Sequence, residues 1–360
     1  MTAQPSSPAS HCLVVRLDNA GDVLLAGPAV RAVAAGSRRV TVLAGPNGAD
    51  AARLLPGGDE VLVWRCPWSD GAPEPVDPAD VDRLVETLAG QRFDRALVLT
   101  SFHQSPLPTA LLLRLAGVPW VGAVSVDYPG SLLDLRHRVD EMLPEAERAL
   151  SLAEAAGFAL PVGDDGALAV RRPLPDVSHL LPRAPYVVLH PGTSVPARAW
   201  PAERFGQAAR LLTREGHRVV VTGAPSETDL TAAVADGTDA VDLGGRTSLE
   251  ELAAVLAAAD TVVVGNTGPA HLAAAVGSAV VSLFAPTVPA ARWAPHRVPH
   301  VLLGDQDAVC RDSRVTSCPF PGHPCLTDVT ADDVLGAVEQ LSGRPLPVGS
   351  AATGALGGTR

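Results

Sequence analysis

The sequence contains no apolar run long enough to cross a bilayer. Its longest candidate, Leu272 to Ala285, is broken by Gly277, Ser278 and Ser282, whereas a spanning helix needs about 20 predominantly apolar residues. Aromatic residues are scarce at 4%, so the 47% hydrophobic content rests mainly on Ala, Val and Leu, small side chains that pack helices and strands. Positive charge is short too. The 28 Lys and Arg stand against 39 Asp and Glu, a net charge of −11, which argues against a nucleic-acid partner. Residues 1–11 have neither a basic stretch nor an apolar core, so they do not read as a secretory signal. The expected location is cytoplasmic, with at most peripheral contact at the inner face of a membrane. The five cysteines are an odd number at irregular positions and do not read as a disulfide framework.

What is present is a repeated alternation of strands and helices across 360 residues, a length that suits two domains. Strands are expected at Leu13–Leu17, Val40–Ala44, Val61–Trp64, Ala96–Thr100 and Val121–Val124. Helical patterns run from Val23 to Ala35, Pro78 to Ala89, Leu107 to Ala116 and Val139 to Gly157. After a proline-rich segment the alternation restarts at Tyr186–His190 and continues to a last helix at Thr330–Leu341. Such alternation builds parallel sheets covered on both faces. The expected class is α/β, with two Rossmann-like doubly wound domains facing a cleft. The expected divisions are a disordered tail over 1–11, a first domain over 12–160, a linker over 161–185, a second domain over 186–342 and a disordered tail over 343–360.

Ligands of open α/β sheets bind beyond the carboxyl ends of the strands, so the strand-to-helix turns carry the candidates. The turn Asp18–Asp22 offers two carboxylates, and Asp22 reads equally as a functional group or as the N-cap of a helix starting at Val23. The second turn, His190–Ser194, places Gly192 where a backbone can approach a ligand and adds the hydroxyls of Thr193 and Ser194. Arg198 follows, just before the helix expected from Pro201, either as a phosphate contact or as a solvated surface residue. Glu227 lies in the turn after the next strand, placed to hold a ribose or merely to suit a helix start. The fourth turn, Asn266-Thr267-Gly268-Pro269-Ala270-His271, joins a buried strand to a helix and forms an anion site by construction. His271 alone reads as a structural histidine.

Taken together, Arg16 to Leu24, His190-Pro191-Gly192 with Arg198-Ala199-Trp200-Pro201, and Asn266 to Ala275 resemble the heptosyltransferase-type glycosyltransferases of family 9. The likeness extends through Phe284-Ala285-Pro286-Thr287 and Arg292-Trp293, covering roughly Cys12 to Leu341. The resemblance implies the GT-B fold, an inverting mechanism and a donor bound mainly by the second domain. It implies Asp22 as the catalytic base, Arg198 at the donor phosphates, Glu227 near the ribose, and a donor turn of Asn266, Thr267, Gly268, Pro269 and His271. Asn266 stands where heptosyltransferases usually carry Asp, which leaves the identity of the transferred sugar open.

The implied partners are a nucleotide-diphosphate sugar, with an ADP-linked one among the candidates, and a glycan or glycolipid acceptor. No cofactor and no metal are expected. Asp305 and Asp307 form the alternative metal clamp, and Cys310, Cys318, His323 and Cys325 form a weakly spaced zinc alternative. Asp18 and His103 are placed to face the cleft, where His103 would touch acceptor or phosphate or stand as a plain loop histidine. A nucleotide-sugar epimerase or hydrolase, and a non-catalytic nucleotide binder, remain as other readings. A nicotinamide dehydrogenase is disfavoured, because the first turn lacks the three-glycine fingerprint.

Overall fold

A computed structural model describes residues 9–69, 73–101 and 103–342. The first half holds β1 (Ala9–Arg16), β2 (Ser37–Ala44), β3 (Glu60–Val63), β4 (Arg95–Val98), β5 (Val121–Val124) and β6 (Leu135–His137) in one sheet of order β3-β2-β1-β4-β5-β6. The second half holds β7 (Val187–His190), β8 (Val219–Val221), β9 (Val241–Asp242), β10 (Thr261–Gly265), β11 (Ala279–Leu283) and β12 (His300–Leu303), in the order β12-β11-β10-β7-β8-β9. Every pairing is parallel. Read from the other edge, the second order repeats the first. In each sheet the order of winding reverses once, between β1 and β4 in one half and between β7 and β10 in the other. Beyond the carboxyl ends of those four strands lie the two switch points, where doubly wound sheets take their ligands.

The strands are apolar on both faces because both faces are covered. Val187–His190, Val219–Val221 and Thr261–Gly265 are buried at every position. One cluster of buried side chains runs without interruption through both halves, from Val14 and Val23 to Val188, Leu252 and Leu272. The segment 161–185 packs on both halves, with the Gly166 carbonyl meeting His296 of the second. Its Leu168, Val170 and Val177 are buried, and Asp164 pairs with Arg31 at 2.6 Å.

Several sequence expectations require correction. The helix expected over Val23–Ala35 is two helices, Ala20–Leu25 and Gly27–Ala35. Pro28 lacks the N–H that would continue the first helix and sits well at the start of the second. The helix expected over Val139–Gly157 runs only from Glu145 to Ala155, because Pro144 disfavours helical backbone in the residue before it. Ala9, Ser10 and His11, placed in the N-terminal tail, belong to β1, where Ala9 faces Ser37 and His11 faces Arg39. The rest of that tail and the tail expected over 343–360 lie outside the described residues. Strands β6 and β9 had no sequence signal. They are short edge strands of three and two residues, without a β-branched run.

Candidate active site

The carboxyl end of β1 delivers Arg16, and the chain then turns through Asp18 and Asn19 into the helix Ala20–Leu25. Asn19 is the residue before the helix and makes no capping bond with its side chain. Asp22 therefore sits in the first turn and does not cap it, which removes the capping explanation for this carboxylate. Its Oδ1 accepts from Arg16 Nη2 at 2.9 Å. Arg16 Nε lies 2.9 Å from Asp18 Oδ2, and Gln104 Nε2 donates to Asp18 Oδ1 at 2.7 Å. The two carboxylates thus share one buried guanidinium but differ in access. Asp18 is 8% exposed and held from two sides, whereas Asp22 is 23% exposed and open to the cleft. Burial pushes the Asp18 carboxyl up, Arg16 opposes that shift, and the Asp22 charge adds to it.

Opposite, the carboxyl ends of β7 and β10 supply the second wall. Pro196–Arg198 forms a short 3-10 turn that brings Arg198 to the cleft, with its Nε buried and without a hydrogen-bond partner among the described residues. Burial lowers the Arg198 pKa, and Asp22 across the cleft opposes the fall. After β10 the chain passes Asn266 and Thr267 and enters the helix Gly268–Val276, where Pro269 occupies the first turn and no side chain caps the N-terminus. Asn266 and His271 are both buried, and Asn266 Nδ2 and His271 Nδ1 find no partner among the described residues. The two halves meet here backbone to backbone. A Cβ on Gly21 would stand 2.9 Å from His271 Cδ2 and 3.2 Å from Gly268 Cα.

Between these walls lies a cavity of about 330 Å³. It gathers Asp18, Asp22, His103, Thr193, Ser194, Arg198, Asn266, Thr267, Gly268 and His271 from the sequence-derived candidates. Gly192, Glu227 and Pro269 do not line it. The Glu227 carboxylate folds back on its own turn, accepting from Ala224 N at 2.8 Å, and packs on Gly192, where a Cβ would come within 2.2 Å of its oxygens. Gly192 thus makes room for Glu227, and the expected close approach of its backbone to a ligand is corrected. Pro269 only starts its helix.

The zinc alternative is not assembled. His323 Nε2 meets the Ala197 carbonyl at 3.0 Å, Cys318 turns to the Phe320 carbonyl, and among the described residues no group of three or more His, Cys, Asp or Glu is placed to hold a metal. Asp305 and Asp307 close a local turn, with Asp307 N donating to Asp305 Oδ1 at 2.9 Å, and neither lines the cavity.

Sequence reasoning did not select Ser101, Gln104, Trp293 or Arg314, all of which line the cavity. Trp293 stood in a quoted motif and could have been chosen. Ser101 and Gln104 lie just beyond β4, at the switch point that only the strand order reveals. Arg314 has no motif around it. It reaches the cavity from a loop held by its own N–H on the Thr287 carbonyl at 2.9 Å. All 28 basic residues are arginine and none is lysine, so every side-chain cation in the cavity apart from histidine is a planar, permanently charged fork.

His190 and His271 enter the fold neutral, each pushed down to about 4. Burial is the main cause for both. Glu227 opposes it for His190, whereas Arg198 and His296 reinforce it for His271. Unfolded histidine titrates near 6.5, so below that pH the unfolded chain takes up protons that the native one refuses. Stability should therefore be flat with respect to these two groups above about pH 6.5 and fall from there towards about pH 4. The loss is on the order of 2 kcal/mol for each by pH 5. Urea midpoints at pH 7.5 and pH 5 measure it, and equal midpoints would refute it.

Two doubly wound halves that share their switch points across one polar cavity define a GT-B fold. Comparison with known proteins gives the same result and adds the family. The profile described as "Glycosyltransferase family 9 (heptosyltransferase)" matches residues 81–322. The chain belongs to glycosyltransferase family 9. It is 28% identical over 230 residues to lipopolysaccharide heptosyltransferase 2 of Escherichia coli (strain K12), covering 58% of this chain and 64% of that relative, just under two thirds of its length. Among solved structures, a glycosyl transferase family 9 protein from Veillonella parvula superposes with a TM-score of 0.73 at 18% identity, over 93% of this chain and 98% of that one. E. coli ADP-heptose LPS heptosyltransferase II superposes with a TM-score of 0.72 at 21% identity, over 93% and 99%.

Proposed function

We propose that this protein transfers a sugar from a nucleotide-diphosphate donor to a hydroxyl of a glycan or glycolipid acceptor, with inversion at the anomeric carbon and without a metal ion. One observation carries the reading. A reachable carboxylate, Asp22, comes from the first half, and Arg198 with the uncapped N-terminus of Gly268–Val276 comes from the second, all on one cavity. The acceptor hydroxyl attacks the anomeric carbon while Asp22 takes its proton. The bond from that carbon to the diphosphate oxygen breaks, and the charge gathering on the diphosphate is met by Arg198 and the helix N–H groups.

Inversion is supported by the difference between the two carboxylates. Asp18 is occupied by Arg16 and Gln104, which leaves Asp22 as the accessible one and offers no second nucleophile for a covalent sugar intermediate. Metal independence is supported by the fixed guanidiniums of Arg198 and Arg314 on the cavity wall. The relatives named above point to an ADP-linked donor, with heptose or another sugar transferred. Glu227, outside the cavity wall, is proposed to reach the ribose at its edge. A glycolipid acceptor would place the protein at the inner membrane face, and no helix among the described residues is long and apolar enough to cross a membrane.

The test is a thermal-shift screen with ADP-, GDP-, UDP- and TDP-sugars. A true donor at 100 times its Kd stabilises the fold by about 2.7 kcal/mol, and no response to any of them would sink the reading. With the donor found, EDTA is expected to leave transfer unchanged. Loss of activity restored by Mg²⁺ would bring Asp305 and Asp307 back as a metal clamp. Release of free sugar without acceptor would favour a hydrolase or epimerase.

A further inference from the structure

Behind the carboxylate pair lies a second layer of charge that the transfer chemistry does not use. Glu145, at the start of the helix Glu145–Ala155, is 2% exposed. It receives Arg292 from the second half and stands 3.6 Å from Arg148. Arg148 donates to the Thr100 carbonyl just beyond β4. The next residue, Ser101, accepts from Arg16 Nη2 at 3.0 Å, and Arg16 holds Asp18 and Asp22. A continuous chain of buried groups thus runs from the second half to the carboxylate at the cavity.

The charges in this chain balance. Arg16, Arg148 and Arg292 face Asp18, Asp22 and Glu145, and all three guanidiniums are more than nine-tenths buried. Ions this deep are tolerated when compensated and are costly when one partner is missing. Only Arg292 comes from the second half, so the cluster is neutral only while that half is seated on the first. The members sense one another. Burial pulls Arg148 down to about 10, Glu145 opposes the fall, and Arg16 and Arg292 add to it. Arg292 also lies 5.0 Å over the ring of Trp293, which lines the cavity, so seating one seats the other.

We infer that Glu145 and Arg292 are positioning residues, which make the placement and charge surroundings of Asp22 depend on the seating of the two halves. This rests on the reading of Asp22 as the base. Asp22 itself is faced by Arg16 and Asp18 from the end of β1, by His103 from beyond β4, and by Arg198 and Arg314 from the second half. Of those groups, Arg16 and His103 also feel the Glu145 charge directly, so the limb reports the sum of that field and the contact chain.

The experiment is a charge cycle of Glu145→Gln, Arg292→Gln and the double variant, read by the pH profile of kcat and by the carbon-13 titration of the Asp22 carboxyl. Removing the negative Glu145 should lower the acid limb, and removing the positive Arg292 should raise it, each by about one pH unit. The double variant should return near the wild-type position. Donor KM should stay put while kcat falls in both single variants. A purely structural role would lower both melts and leave the limb in place or move it in one direction, and that result overturns the inference.

If a single variant fails to fold, Arg292→Lys and the double variant carry the test. Both should keep the wild-type limb, and a displaced limb in either overturns the inference. The carbon-13 titration needs no turnover. Opposite shifts in a protein that transfers no sugar would sink the proposed function and leave this coupling standing.

Discussion

Turnover of the Asp22→Asn protein is expected to fall by roughly 10²–10⁴-fold, the usual share of a general base. Donor affinity should scarcely change, and the melt should drop only modestly, because buried Arg16 keeps Asp18 and the Asn oxygen but loses the Asp22 charge. The structure sharpens this expectation, because Asp22 caps no helix and Asn cannot be excused as an equivalent cap. Asn keeps an oxygen for Arg16 Nη2 to bond and keeps the shape of the turn, so what is lost is the capacity to take a proton. The measurement is kcat beside a thermal melt, with the donor identified by the screen. Near-normal turnover with a normal melt would end the assignment. Asp18 would then be next in line, although it would first have to leave Arg16 and Gln104.

Arg198→Ala should weaken donor binding by roughly 10–100-fold, the equivalent of about 1.5–3 kcal/mol for a hydrogen bond between charged groups. The melt of the empty protein should hold or rise. The opposite signs follow from one observation, that Arg198 Nε is buried without a partner among the described residues. Removing it sacrifices no Nε hydrogen bond in the empty fold and relieves a cost of burial, while the loaded protein loses its contact with the diphosphate. Calorimetric titration of the donor decides the matter, and an unchanged Kd would dismiss Arg198 as a ligand. Arg198→Lys should fall between the two, since it keeps the charge and loses the fork.

Much of this was legible in the sequence because it was written in local terms. The buried strands, the Asn266–His271 turn and the Arg16–Asp22 turn each announce themselves within ten residues or so, through apolar runs, glycine and proline placement, and polar residues at strand ends. What stayed hidden depends on contacts distant in the chain. Glu227 carries the right chemistry for a ribose, yet its carboxylate lies against Gly192, a packing choice that spacing cannot express. Arg16 was quoted only as part of a motif, and its bond to Ser101, across 85 positions, became visible once β1 and β4 lay side by side. Arg292 and Glu145 are a pair across 147 positions. Helix boundaries failed for a different reason, since Pro28 and Pro144 act on backbone geometry that an apolar period ignores.

The glycine seam has a consequence for how such a chain can be recombined. Gly21 brings the first half against the second with no side chain of its own, and the nearest atoms it would strike belong to His271 and Gly268. A hybrid made by joining the first half of one family member to the second half of another would inherit this contact before any substrate arrived. With glycine at this place on the first half, the graft can close and its specificity can be exchanged piecewise. With a larger residue there, its Cβ would press on His271 and Gly268, and the imported half would have to shift, moving Arg198 relative to Asp22.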